Sequence, residues 1–386
     1  MKLKLGFAAV LLGVGVWQVA QLPPPYATRS AVNPPKVVPR PAGADLRLPP
    51  GFTIEVFAEE FKRPRFMTLG PSGEILLSDS AEAPDGAVYV LEGGNRKKIL
   101  SGLDRPFGLA FLKNDLYVAE ATSLRRYPYD AKSRTAGEGK EIVPLGFTGA
   151  GHWTRNVLFS PDGTKMYLAV GSRSNVSPGE PPIRAAINRY NPDGSGHEIF
   201  ASGMRNPIGM RWYPGTETLW ATVQERDGLG DDLVPDYFTH VQQGGFYGWP
   251  YAYLGSNEDP RNKGQRPDLV AKTIVPDVIL EPAHMAAMDF IFYTGKQFPA
   301  EYRGGAFIAF HGSWNRSKRV GYSVGFIPFR NGKPSGRMVD FVTGWMLSPD
   351  KPEVWGRPVG LLELPDGSLL LSDDGGNRLW RISYTG

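Results

Sequence analysis

The chain has 386 residues, with 47 glycines, 35 prolines, 12% aromatic residues and no cysteine. That length suits one large or two ordinary domains, and so much Gly, Pro and aromatic content points to many short strands and turns rather than to helices. The lack of cysteine excludes disulfides, thiol catalysis and Cys-ligated zinc or iron–sulfur centres, and a net charge of +4 with no Lys/Arg block offers no nucleic-acid surface.

Lys2 and Lys4 precede an uncharged, mostly apolar run, Leu5 to Ala20. This is the charge and hydropathy pattern of an export signal, and the run is short of the roughly 20 apolar residues of a spanning helix. Residues 1–27 are read as a signal peptide or an uncleaved membrane anchor, which places the protein in the periplasm. Residues 28–47 are Pro-rich and lack apolar periodicity, so they read as an extended linker. The globular part starts at Leu48 and runs to the end, opening with the alternating strand GFTIEVFAEEF.

One pattern then recurs: a turn that carries an Arg in five of six units, an apolar run, a Gly turn and a second strand. It reads Arg63-Pro64-Arg65-Phe66 to Pro71-Ser72-Gly73, and Arg105-Pro106-Phe107-Gly108 to Lys113-Asn114. His152-Trp153-Thr154-Arg155-Asn156 leads to Pro161-Asp162-Gly163, and Arg205-Asn206-Pro207-Ile208 to Pro214-Gly215. Ala283-His284-Met285 leads to Gly304-Gly305, and Arg357-Pro358-Val359-Gly360 to Pro365-Asp366-Gly367. The openings fall at 63, 105, 155, 205, 284 and 357, with polar insertions such as Gly255 to Asp268 in the longer steps. A period of roughly 40–50 residues with room for four strands is that of propeller blades. The expected fold is therefore all-β, a six-bladed β-propeller. A strand from the far end of the chain is expected to complete the first blade, because closure removes sheet edges. Loops on one face would converge on the axis. Arginines in register there suit an anionic ligand, since guanidinium forks match carboxylates.

Two stretches carry chemistry. His152 follows Gly149-Ala150-Gly151 just before a blade opening, and a histidine there is a natural general base for a hydroxyl proton. The loop Gln224 to Asp232 holds Glu225, Asp227, Asp231 and Asp232 with two glycines, a set of oxygens suited to a hard cation such as Ca²⁺. Its spacing is not that of an EF-hand, and its composition serves equally for a charged surface loop. No nucleotide fingerprint, P-loop, Gly-x-Ser-x-Gly elbow or His-Glu-x-x-His is present.

The segments GHWTRNVLFSPDG, ASGMRNPIGM, QERDGLGDDL, GGFYGWPYAY and HGSWNRS together resemble the glucose/sorbosone dehydrogenase family, in its L-sorbosone dehydrogenase-like branch, over Leu48 to Tyr384. The resemblance implies a propeller that uses pyrroloquinoline quinone (PQQ) and calcium to oxidise an aldose, a sugar aldehyde or a related polyol, passing electrons to a cytochrome or a quinone pool. It implies His152 as catalytic base and Arg205 with Asn206 beside the quinone, Arg205 stabilising developing negative charge. It implies calcium held by backbone carbonyls at Glu225, Arg226 and Asp227. Asn315, Arg316 and Arg357 fall near the family's cofactor-binding positions, and Arg155 joins them as an axial arginine. The sequence departs from the family twice. Gly171-Ser172-Arg173 stands where a Gly-Asp pair orients the histidine, and Asn315-Arg316 stands where a cofactor-binding lysine is expected, with Lys318 nearby. A calcium-dependent propeller lactonase and a non-catalytic binding propeller are the alternatives. The lactonase would need acids from several blades on the axis, whereas here they concentrate in one.

Overall fold

A computed structural model of the chain describes residues 22–146 and 151–386. The apolar run Leu5 to Ala20, and Gly149 with Ala150, lie outside the described residues. Six antiparallel sheets stand in a ring. Their innermost strands are Pro64–Leu69, Leu109–Leu112, Arg155–Phe159, Asn206–Trp212, Ala287–Phe292 and Pro358–Glu363, which define blades one to six. Each packs against the next, and blade six packs against blade one, so the ring is closed. The strands begin at or just after the repeated openings, so the repeat marks the blades.

The closing strand differs from expectation. Phe52–Glu59 lies on the outer edge of blade six, antiparallel to Arg378–Tyr384, rather than a C-terminal strand completing blade one. The reason is local supply. Blade one has four strands of its own between Pro64 and Leu103, whereas the chain ends after three strands of blade six.

A repeated polar device explains the register of the innermost strands. Blades one, four and six each have an irregularity two to three residues into that strand, at Pro64/Met67, Pro207/Met210 and Pro358/Leu361. A hydroxyl on the second strand accepts from the displaced N–H: Ser78 Oγ from Phe66 at 3.0 Å, Thr222 Oγ1 from Gly209 at 2.9 Å, and Ser372 Oγ from Gly360 at 2.8 Å. Thr222 and Ser372 also donate to the next blade, to Met288 O and Arg65 O. Inner strands thus share hydrogen bonds around the ring, and Gly360 leaves the room: a Cβ there would collide with Arg65 O.

The axis itself is filled. Phe66, Phe107, Ile208, Met288 and Val359, from five blades, are buried together. Further along, Arg211 of blade four lies over the ring of Phe66 of blade one, 4.9 Å away, and pairs with Asp289 at 2.9 Å. Blades one and four are opposite in the ring, so these contacts cross the axis. The propeller therefore offers a cup on its opening face rather than a through channel.

The Pro-rich segment is extended, as its composition requires, yet it is docked. Lys36–Val37 pairs in parallel with Glu353–Val354. Val38, Ala44, Leu46 and Leu48 pack on the core between blades five and six. Arg319, fully buried, donates to Asn33 O at 2.8 Å, to Asn33 Oδ1 at 2.6 Å and to Pro34 O at 3.0 Å. The segment is a strap laid over the opening face, touching the loops of blades four, five and six.

Candidate functional site: a cationic cup around His152

His152 stands at the opening of blade three. Its backbone N–H donates to Ser172 O at 3.0 Å, and its ring Nδ1 lies 2.9 Å from the same carbonyl and 3.0 Å from Ser172 Oγ. A carbonyl only accepts, and the Ser172 hydroxyl hydrogen goes to Ser174 O at 2.6 Å. Nδ1 therefore carries the proton and Nε2 keeps its lone pair. Burial, then the Arg205 guanidinium, hold this imidazole well below its ordinary pKa. It is neutral at neutral pH, a base oriented without any carboxylate. Gly171 makes this possible: a Cβ there would collide with both His152 Cβ and Asn206 Oδ1. The place of the family's orienting acid is thus taken by a serine carbonyl and hydroxyl.

The predicted arginines share a register but not a role. Arg155 is fully buried, and its Nη1 donates to His152 O at 2.7 Å and Thr154 O at 2.9 Å. Burial pushes its pKa down to about 9. It fixes the backbone under His152 from within the protein. Arg205 uses its whole fork: Nη1 to Glu225 O at 2.6 Å, Nη2 to Asp227 Oδ2 at 2.8 Å and Asn175 Oδ1 at 3.0 Å, and Nε to Asn175 O at 3.1 Å. Asn206 donates to Gln224 Oε1 at 3.0 Å, while its buried Oδ1 has no protein partner. Asn315 donates to Asp227 Oδ1 and to His284 Nδ1, and His284 Nε2 donates to Gly230 O at 3.0 Å. Arg316 lies apart from this group, holding Asp231 O and the Asp232 carboxylate at the far end of the acidic loop.

Arg357 belongs to a second cluster across the cup. Its N–H donates to Asp373 Oδ1 at 2.6 Å and its Nε reaches His311 O at 3.3 Å; its two terminal nitrogens make no protein hydrogen bond among the described residues. Asp374 accepts from Arg65 at 2.5 Å and from His311 Nε2 at 2.8 Å. Burial, followed by the Arg357 charge, lowers His311 to about 4, so it donates as a neutral ring to an ionised Asp374. Trp153, beside His152 in the chain, has the Arg65 guanidinium 4.9 Å and that of Arg105 5.8 Å from its ring.

Sequence reasoning missed Asn175, His284, His311, Asp374 and Trp153. Asp374 left a trace. The first and last repeats end their second strands Ser78-Asp79 and Ser372-Asp373, and in both the Asp caps the opening's backbone N–H groups. The extra acid after Asp373, where the first repeat has Ser80, is the departure that marks a site.

Guanidinium groups crowd the cup. Beyond burial, Arg184 and Arg105 act on Arg155, and Arg63 and Arg357 oppose the Asp374 charge on Arg65. Guanidinium groups that depress one another are relieved by an anionic ligand.

The site is thus a closed six-bladed ring whose opening face gathers arginines around His152, oriented by Ser172. The chain belongs to the TrAA12-like family, whose model matches residues 46–236 and 238–385, a glucose/sorbosone dehydrogenase-like group of propellers related to PQQ-dependent sugar dehydrogenases. It is 29% identical over 357 residues to an uncharacterized protein of Borreliella burgdorferi, covering 88% of this chain and 91% of that one. Among solved structures it is similar to the calcium structure of the Trichoderma reesei Carbohydrate-Active Enzymes Family AA12 protein, with a TM-score of 0.75, 18% identity and coverage of 90% and 98% of the two chains. It is also similar to the holo form of the pyranose dehydrogenase PQQ domain from Coprinopsis cinerea, with a TM-score of 0.73, 19% identity and coverage of 89% and 98%. At these identities the structural likeness establishes the fold.

The two groups that the family implies fare differently here. A flat quinone bearing three carboxylates suits the cup, where Arg357 has unengaged donors and Asn206 Oδ1 is an unpartnered acceptor. Calcium does not suit residues 225–227 as they stand. Glu225 O is taken by Arg205, and Asp227 O receives Asn175 Nδ2 at 2.9 Å, Arg226 Nε at 3.0 Å and Arg226 Nη2 at 2.8 Å. Burial raises the Glu225 carboxyl to about 8, so it is neutral at neutral pH. Guanidinium groups already engage two of the three carbonyls, Glu225 O and Asp227 O.

Proposed function

We propose that the protein is a periplasmic dehydrogenase that uses pyrroloquinoline quinone to oxidise an aldose, a sugar aldehyde or a related polyol. The observation that carries this reading is the neutral His152 with Nε2 unprotonated in a guanidinium-rich cup. A bound quinone would supply a two-electron acceptor at the cup. As the C–H hydrogen leaves the substrate carbon with its electron pair, the hydroxyl proton passes to His152 Nε2. Ser172 keeps Nδ1 protonated and the ring fixed throughout. Arg357 and Arg65 receive carboxylate charge, and Arg205, locked by Asp227 and Asn175, is a fixed positive charge beside the reacting oxygen. No step is assigned to calcium. Export rests on Lys2, Lys4 and the run Leu5 to Ala20.

The test is dye-linked oxidation of a panel of aldoses, polyols and aldehydes by full-length protein preincubated with the quinone. Turnover of at least one class is expected, both with and without a chelator. Micromolar quinone that neither binds nor supports turnover overturns the proposal.

The pH profile follows from the histidine. A base must be unprotonated, so activity is lost as pH falls through the pKa of His152, and this acid limb is expected below 6.5. Ser172→Asp puts a carboxylate against Nδ1–H, which favours the imidazolium and moves the limb to higher pH. A kcat profile with unchanged limbs in this variant would separate His152 from the titration.

A further inference from the structure

Among the described residues, eight large apolar side chains are exposed, and five of them sit together on the strap and the loops it touches. Tyr26 is 61% exposed, Val32 80% and Val37 45%, all on the strap; Trp314 is 44% and Leu347 43% exposed on neighbouring loops. The strap binds these loops closely. Tyr26 N donates to Leu229 O at 2.8 Å, and Asn33 N to Trp314 O at 2.7 Å. Both loops join second to third strands, in blades four and five. They therefore lie on the face where the innermost strands begin and the cup opens.

Charge at this face is mixed, with Asp231, Glu281 and Glu353 beside its basic residues. Asp232 pairs with Arg316, Asp350 with Lys318 and Asp45 with Arg40. Arg29, Lys36 and Lys351 are exposed there with no acid partner among the described residues. Exposed Trp and Tyr beside unpaired Lys and Arg is the composition of a surface at a lipid headgroup layer.

The chain indicates how such a surface would be held. Leu22 packs on the core between blades three and four, beside the loop that Tyr26 caps. The apolar run Leu5 to Ala20, led by Lys2 and Lys4, joins the fold directly before it. We propose that the opening face, with Tyr26, Val32 and Trp314 at its centre, lies on an anionic lipid bilayer, held there by the segment before Leu22.

The chain has no cysteine, so single labels are unambiguous. Full-length protein carrying an environment-sensitive dye at Trp314→Cys, Val32→Cys or Glu217→Cys is reconstituted into phosphatidylglycerol/phosphatidylethanolamine vesicles with nitroxide lipids. Glu217 is exposed on the opposite face, in the turn joining the first two strands of blade four. Quenching at 314 and at 32 is expected to exceed that at 217 several-fold. Equal quenching at all three sites, or none at any, overturns the proposal. So does protection of 314 and 32 from aqueous iodide without lipid quenching, the sign of a second copy of the chain on this face.

Discussion

Replacing His152 by alanine is expected to lower kcat for the oxidised substrate by about 10²- to 10⁴-fold, the usual worth of a positioned general base, while quinone binding stays intact. The ring is oriented by Ser172 O and Oγ and kept neutral by burial and by Arg205, so its removal takes away the lone pair at Nε2 and little else. Arg155 holds the backbone carbonyls of His152 and Thr154 rather than the ring, so the loop conformation survives the substitution. Steady-state kinetics with a quinone titration on the same variant separate chemistry from binding. An unchanged kcat would assign the proton to another group.

The second large effect is on stability. Arg226 Nη1 and Asp259 Oδ2 pair at 2.7 Å with side chains only 5% and 2% exposed. Asp259→Ala leaves the guanidinium buried and uncompensated, and is expected to cost about 3–5 kcal/mol. Removing both charges with apolar side chains of similar volume is expected to restore most of that, because the desolvation of both ions is then avoided. Denaturant titration reads this as a lowered midpoint with an unchanged slope for the single variant. Loss of less than about 1 kcal/mol would show that Arg226 finds solvent or another acceptor. Arg226 also donates to Asp227 O, so this pair shapes the loop beside Arg205.

The propeller was legible because its signals are local. Each opening turn, Arg-Pro or Arg-Asn in five of the six, lies with its apolar run and Gly turn within about twenty residues, and the six openings match the six innermost strands. The closing strand was misplaced because which blade lacks its fourth strand depends on where the ring is cut. At the site, residue types were legible and partners were not. Asn175 meets Arg205 from 30 positions away, Asp259 meets Arg226 from 33, and Asp374 meets Arg65 from 309. No periodicity encodes such pairings. The missing orienting acid was visible at Ser172, but its replacement is partly a backbone carbonyl, which every residue has. The loop from Gln224 to Asp232 read as a cation site by composition. In the fold its oxygens are answered by three arginines, one from the turn at 205, one from within the loop itself and Arg316 from blade five.

The central claim is that guanidinium groups converge on the cup to take a carboxylated quinone. The most direct measurement is a spectroscopic titration of full-length apo-protein with pyrroloquinoline quinone, repeated with Arg357→Ala. Saturation at one quinone per chain is predicted, with affinity at least tenfold weaker in the variant, as loss of a charged hydrogen bond of about 1.5–3 kcal/mol requires. No saturable binding, or equal affinity in the two proteins, would contradict it.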